Sequence, residues 1–161
     1  MATPTYTLLD SVTLGSSASS VIFSGISGTG KGDLVLRTQV NTGAGVGVNF
    51  LKFNGDAVTE VEWVQMNGDG SSATSGAFGG VTYFQGLINS SDTVIHTYQI
   101  MDYSATDKQT SGLYRGDGTT GTRASAFRWL STSAVTSLEI ASGTNQFQAG
   151  STFFLYQLVS E

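Results

Sequence analysis

An all-β fold, a jelly-roll-like antiparallel β-sandwich of about ten short strands, is what this sequence predicts, and three observations carry the prediction. Apolar and polar residues alternate with period two along most of the chain, while helical spacing is scarce. Ser, Thr and Gly number 21 each among 161 residues, yet hydrophobic residues reach 39% and aromatic residues 11%. Disordered chains lack aromatic and β-branched residues, so the small polar residues here belong to tight turns between strands. The one proline, Pro4, lies outside any strand interior.

The elements follow in order. Segment 6–14 reads as the first strand and 20–24 as a short second one. A glycine-rich connection, 25–32, leads into a third strand over 33–40, with Leu34, Leu36, Thr38 and Val40 on one face. Segment 46–53 is a fourth strand, closed by the turn Asn54-Gly-Asp56. Segment 58–66 fits a strand or a short helix, because Trp63 and Met66 sit three apart while Val58, Val61 and Val64 favour strand. Segment 67–80 is nearly all Gly, Ser, Asp, Asn and Ala, which predicts a long contact-bearing loop. Strand character resumes at 81–88 and is longest at 93–103, where Val94, His96, Tyr98 and Ile100 share a face. Segment 108–115 precedes a glycine loop at 116–121. Segment 123–130 is a strand with Ala124, Ala126 and Arg128 opposite Phe127 and Trp129, and 135–141 and 152–158 complete the set. Length and even texture predict one domain over 1–161, with 1–7 as an extended arm.

Charge narrows the function classes. Charged residues are 12% of the chain and the net charge is −5. The seven basic residues are scattered, so no run tracks a phosphate backbone and nucleic acid is not an expected partner. Cysteine is absent, which removes disulfides and thiolate metal sites. No stretch approaches the roughly 18 apolar residues of a membrane span, and Met1-Ala-Thr-Pro4 lacks the form of a signal peptide. No membrane is therefore expected as a partner.

Motifs that resemble chemistry fail at decisive positions. Segment 25–32 approaches a phosphate-binding loop, but Gly32 stands where a Ser or Thr must hold Mg²⁺, and a strand follows instead of a helix. His96, the single histidine, would need Asp92 or Asp102 and a serine for a triad, and no nucleophile elbow surrounds any serine. It reads as a satisfied histidine on an apolar face. Two of the 12 acids could in principle meet a glycosidase spacing, as they could in any such β-protein. A Ca²⁺ loop beginning at Asn67 and Asp69 lacks its terminal Glu, since Phe78 falls there. Arg115-Gly-Asp117 is an integrin-type tripeptide placed in a turn, and Asn89-Ser-Ser91 is a bare glycosylation sequon. Trp63, Trp129, Tyr83, Tyr98, Tyr103, Tyr114 and Tyr156 are candidates for a sugar-stacking platform, although rings in alternating strands are usually core. The expectation is a non-enzymatic chain without cofactor or metal.

Five segments carry a family resemblance. They are Tyr6-Thr-Leu-Leu-Asp-Ser-Val-Thr-Leu14, Asp33-Leu-Val-Leu-Arg37, Leu51-Lys-Phe-Asn-Gly-Asp56, Leu130-Ser-Thr-Ser-Ala-Val-Thr-Ser-Leu138 and Phe147-Gln-Ala-Gly-Ser-Thr-Phe-Phe-Leu-Tyr156. In this order they resemble the small β-rich structural proteins of tailed bacteriophages, although Gln157-Leu158 replaces the Gly-Ile that usually ends the last motif. The resemblance implies a jelly-roll-like virion protein and carries no catalytic residue. It implies a place on the capsid surface or on a tail or head fibre, in a group whose members often act as trimers, and the first expectation is a capsid decoration or cement protein that clamps the major capsid protein as a homotrimer. A receptor- or glycan-binding module of a tail or head fibre is the alternative. Contacts are expected from 1–7 and 67–80, with Met1, Thr3, Pro4, Tyr6, Asn67, Asp69 and Phe78 as candidate contact residues.

Overall fold

The computed structural model describes residues 5–27, 32–43, 48–87, 93–118, 121–143 and 145–158. They form twelve strands and no helix. The strands are β1 (Tyr6–Thr13), β2 (Ser20–Ser24), β3 (Asp33–Val40), β4 (Asn49–Phe53), β5 (Val61–Gly68) and β6 (Ala73–Val81), then β7 (Phe84–Gln85), β8 (Val94–Met101), β9 (Thr110–Gly118), β10 (Gly121–Trp129), β11 (Ser137–Ser142) and β12 (Thr152–Leu158). The all-β expectation holds, and the sandwich with it. A long sheet runs β1-β12-β3-β8-β9-β10-β5-β6 and a short one β2-β11-β4-β7, with every pairing antiparallel.

Pairing follows a nested order. β1 pairs β12, β2 pairs β11, β3 pairs β8 and β4 pairs β7. The hairpins β5–β6 and β9–β10 are interposed, and they lengthen one sheet by four strands. The short sheet covers part of the long one through aromatic contacts. Phe53 stacks on Trp129 at 5.2 Å, and Phe84 packs against Trp63, Tyr114 and Phe127 at 5.7, 5.2 and 4.8 Å. Such rings each bury 150–250 Å² and supply much of the driving force for closure. The alternating faces of β3 and β8 are buried as their pattern requires.

Of the two readings of segment 58–66 the strand holds, as β5 from Val61 onward, because Trp63 packs inward while Met66 stands on the opposite, exposed face. Two local expectations need correction. The expected loop at 67–80 is mostly the hairpin β5–β6, with only 69–72 as its tip. β5 pairs with β10 and β6 with β5, and past Trp63 these strands are held by backbone pairing rather than by burial, so no alternation marks them. Of the expected loop at 116–121, residues 116–118 end β9 and Gly121 begins β10, while 119–120 lie outside the described residues; Arg115-Gly-Asp117 is therefore on a strand. Asn54-Gly-Asp56 does turn, with φ of 55° and 62° at Asn54 and Gly55 and Asp56 N–H donating to the Phe53 carbonyl at 2.9 Å.

Candidate functional site

The interior of the long sheet is graded. One cross-strand row reads Leu34, Ile100, Gly112, Phe127, Trp63 and Phe78. Two rows along, the residues are Thr38, His96, Gly116, Arg123, Asn67 and Thr74. His96 is fully buried there, and its Nδ1 lies 2.7 Å from the Tyr114 hydroxyl. Leu87 N–H donates to that hydroxyl at 2.8 Å, and the Leu87 carbonyl lies 3.4 Å away. The tyrosine hydroxyl thus stands between His96 Nδ1 and the Leu87 backbone, while His96 Nε2 has no hydrogen-bond partner among the described residues. Burial holds the His96 pKa down at about 4, against the opposing pull of Asp117. Burial likewise raises Tyr114. Both are neutral at ordinary pH, so this pair is a packed polar core and not a poised acid and base.

Arg123 follows Gly116 in the polar row, half-buried, with Nε donating to Asn67 Oδ1 at 2.7 Å. No carboxylate orients His96 among the described residues, and the Asp102 carboxylate is taken by Lys108 at 2.6 Å. Asp92 and the sequon Asn89–Ser91 lie outside the described residues. No three His, Asp or Glu groups cluster as a metal would need among the described residues. Asp69 instead accepts Ser71 and Ser72 N–H at 2.8 and 2.7 Å and shapes the β5–β6 tip, and these bonds, Ser72 first, hold its carboxyl below the usual range.

The outer face of the long sheet is different. A concave trough of about 860 Å³ runs along β10, floored by Ala124 and Ala126. Leu113 and Arg115 of β9 wall one side, and Val64 and Met66 of β5 the other. A second hollow of about 650 Å³ continues it past Arg115. Large apolar side chains here are open to solvent, with Val64 at 57% and Met66 at 66% exposure. Such contiguous apolar exposure marks an interaction surface.

The candidate contact residues do not form one site. Met1, Thr3 and Pro4 lie outside the described residues. Tyr6 is exposed on edge strand β1, beside Tyr156 at 6.4 Å. Asn67 on β5 and Phe78 on β6 are six and seven strands from β1 along the sheet, with Asp69 in the turn between them. Asn67 is turned inward to Arg123, and Phe78 stacks on Trp63 at 5.2 Å while remaining 47% exposed. The trough residues escaped the sequence reading, although Ala124 and Ala126 already stood on the face opposite Phe127 and Trp129. No family model matches this chain, and neither does a curated protein or a solved structure. Among the described residues no helix is long and apolar enough to cross a membrane.

Proposed function

We propose that this chain is a structural protein of a tailed-bacteriophage virion, a decoration or cement protein that binds the assembled capsid lattice and stabilises it. One observation carries the reading as a docking protein. Eight of the ten large apolar side chains left exposed among the described residues belong to the long sheet, Ile22 and Val58 being the others. Six of the eight, Tyr6, Leu8, Val64, Met66, Ile95 and Leu113, stand on its outer face, and a face of that kind suits binding to other proteins. The family resemblance supplies the virion setting and the jelly-roll form, and the nested pairing of β1 to β12, β2 to β11, β3 to β8 and β4 to β7 supports that form. Binding only the assembled lattice stabilises it by mass action, and a homotrimer would add avidity.

The glycan-binding alternative has less support. Of its seven candidate rings, Trp63, Trp129, Tyr98, Tyr103 and Tyr114 are buried, which leaves Tyr83 and Tyr156. Purified protein added to separated capsids and tails tests the proposal by cosedimentation, followed by cryo-electron microscopy of the bound particle. Lattice-periodic density on the capsid is the expected result. Density on tails alone would transfer the reading to host recognition, and no association with either would overturn it. Deletion of residues 1–7, which removes the first two rungs of β1 opposite Leu158 and Gln157, should weaken capsid binding and leave the fold intact.

A further inference from the structure

The trough on the long sheet carries a chemistry that its cross-strand rows make explicit. One row runs Arg37, Thr97, Arg115, Ala124 and Met66. The next runs Gln99, Leu113, Ala126, Val64 and Ala77. The walls on β9 and β5 stand two strand spacings apart, about 10 Å, which admits one extended chain. The charges around it are not equivalent. Arg128 pairs with Glu62 at 2.6 Å and closes one end. Asp117 accepts Ile95 N–H at 2.7 Å just past the other end. Arg37 and Arg115 are exposed and make no hydrogen bond or ion pair among the described residues. Of these two free guanidinium groups on one row, Arg115 lines the trough and offers its fork to a carboxylate from outside.

We infer that this trough docks an extended acidic–apolar segment of a partner protein, with a large aliphatic side chain over Ala126 and an Asp or Glu two positions away beside Arg115. The spacing has a physical origin. Ala124 and Ala126 are two residues apart on the floor, and only every second side chain of an extended segment faces down. The aliphatic group is enclosed by Leu113 and Val64, and the carboxylate meets Arg115 at the rim of an apolar surface, where screening is weaker than in open water. The partner's identity as a shell protein rests on the proposed function above; the recognition chemistry does not.

The test is a titration of isotope-labelled full-length protein, followed by NMR. The probes are the peptide acetyl-Gly-Gly-Leu-Ser-Asp-Gly-Gly-amide and its Asn counterpart. Amide shifts are expected at Leu113, Arg115, Ala124 and Ala126 with the Asp peptide. Affinity should fall about tenfold with the Asn peptide or with Arg115→Glu, a loss of one charge-assisted contact. Ala126→Trp, which fills the trough from its solvent side, should abolish binding while the remaining spectrum stays folded. No shifts at millimolar peptide, shifts confined to other strands, or equal affinity for both peptides would overturn the inference. A dimer in sedimentation that Ala126→Trp dissolves would overturn it in favour of a second copy of this chain. Capsid cosedimentation separates the two proposals. Undiminished capsid binding by Ala126→Trp would sink the trough and leave the assembly reading, whereas peptide binding without any capsid binding would do the reverse.

Discussion

At the scale of single residues, His96 makes this fold acid-sensitive in a defined window. The unfolded imidazole takes up a proton near pH 6.5, and the folded one only near 4. Acid therefore favours the unfolded chain. The contribution of a neutral buried His96 is complete above 6.5 and is lost as pH falls toward 4, at about 1.4 kcal/mol per pH unit. Urea unfolding at pH 7 and pH 5 should differ by about 2 kcal/mol more in the native chain than in His96→Gln. An equal slope in both would contradict the burial argument. Gly116 guards the same pair, because a Cβ there would overlap the Tyr114 hydroxyl and His96 Nδ1. Gly116→Ala should cost about 1–3 kcal/mol in the same assay, and Gly15→Ala, which meets nothing within 4 Å, should be close to neutral. The histidine's placement was legible from the alternation of Val94, His96, Tyr98 and Ile100. Its partner was not, because Tyr114 lies on another strand and only the register of β8 against β9 brings them together.

At the scale of elements, strands were legible where burial selects one face. β2 and β12 match their predicted bounds because one side of each must be apolar. β6 was invisible for the opposite reason. Ala73–Val81 is exposed at nearly every position, so nothing imposes a period of two on its sequence. Its one strong tether is Phe78, stacked on Trp63 with an interplanar angle of 17°. A double-mutant cycle on Trp63→Leu and Phe78→Ala should return a coupling of about 1 kcal/mol. Coupling near zero would mean that backbone pairing to β5 alone holds the edge. The trough belongs to this scale as well. Val64 and Met66, Leu113 and Arg115, and Ala124 and Ala126 are far apart in sequence and adjacent only through strand order. Their outward alternation was readable strand by strand, but their assembly into one concavity was not.

At the scale of the whole molecule, the nested pairing makes most of the decisive contacts non-local. β1 must find β12 and β2 must find β11 before either sheet is complete. Loop-closure entropy is lost before those contacts form, which places such topologies among the slow folders. Stopped-flow refolding from urea should proceed in milliseconds to seconds, and a microsecond phase carrying the full amplitude would show that local hairpins dominate instead. β9 and β10, adjacent in sequence and joined in one hairpin, are the natural early unit.

The pairing of β1 with β12 has a further consequence during synthesis. Among the described strands β1 leaves the ribosome before the other eleven, yet its one neighbour among them is β12, made after all the rest. At 5–20 residues per second, that partner arrives on the order of ten seconds later. Through that interval Leu8 and Leu9, which are exposed even in the finished protein, stand on a strand with nothing to pair with. The nascent chain must survive as an open intermediate, and the long sheet can be completed only after β12 has cleared the exit tunnel.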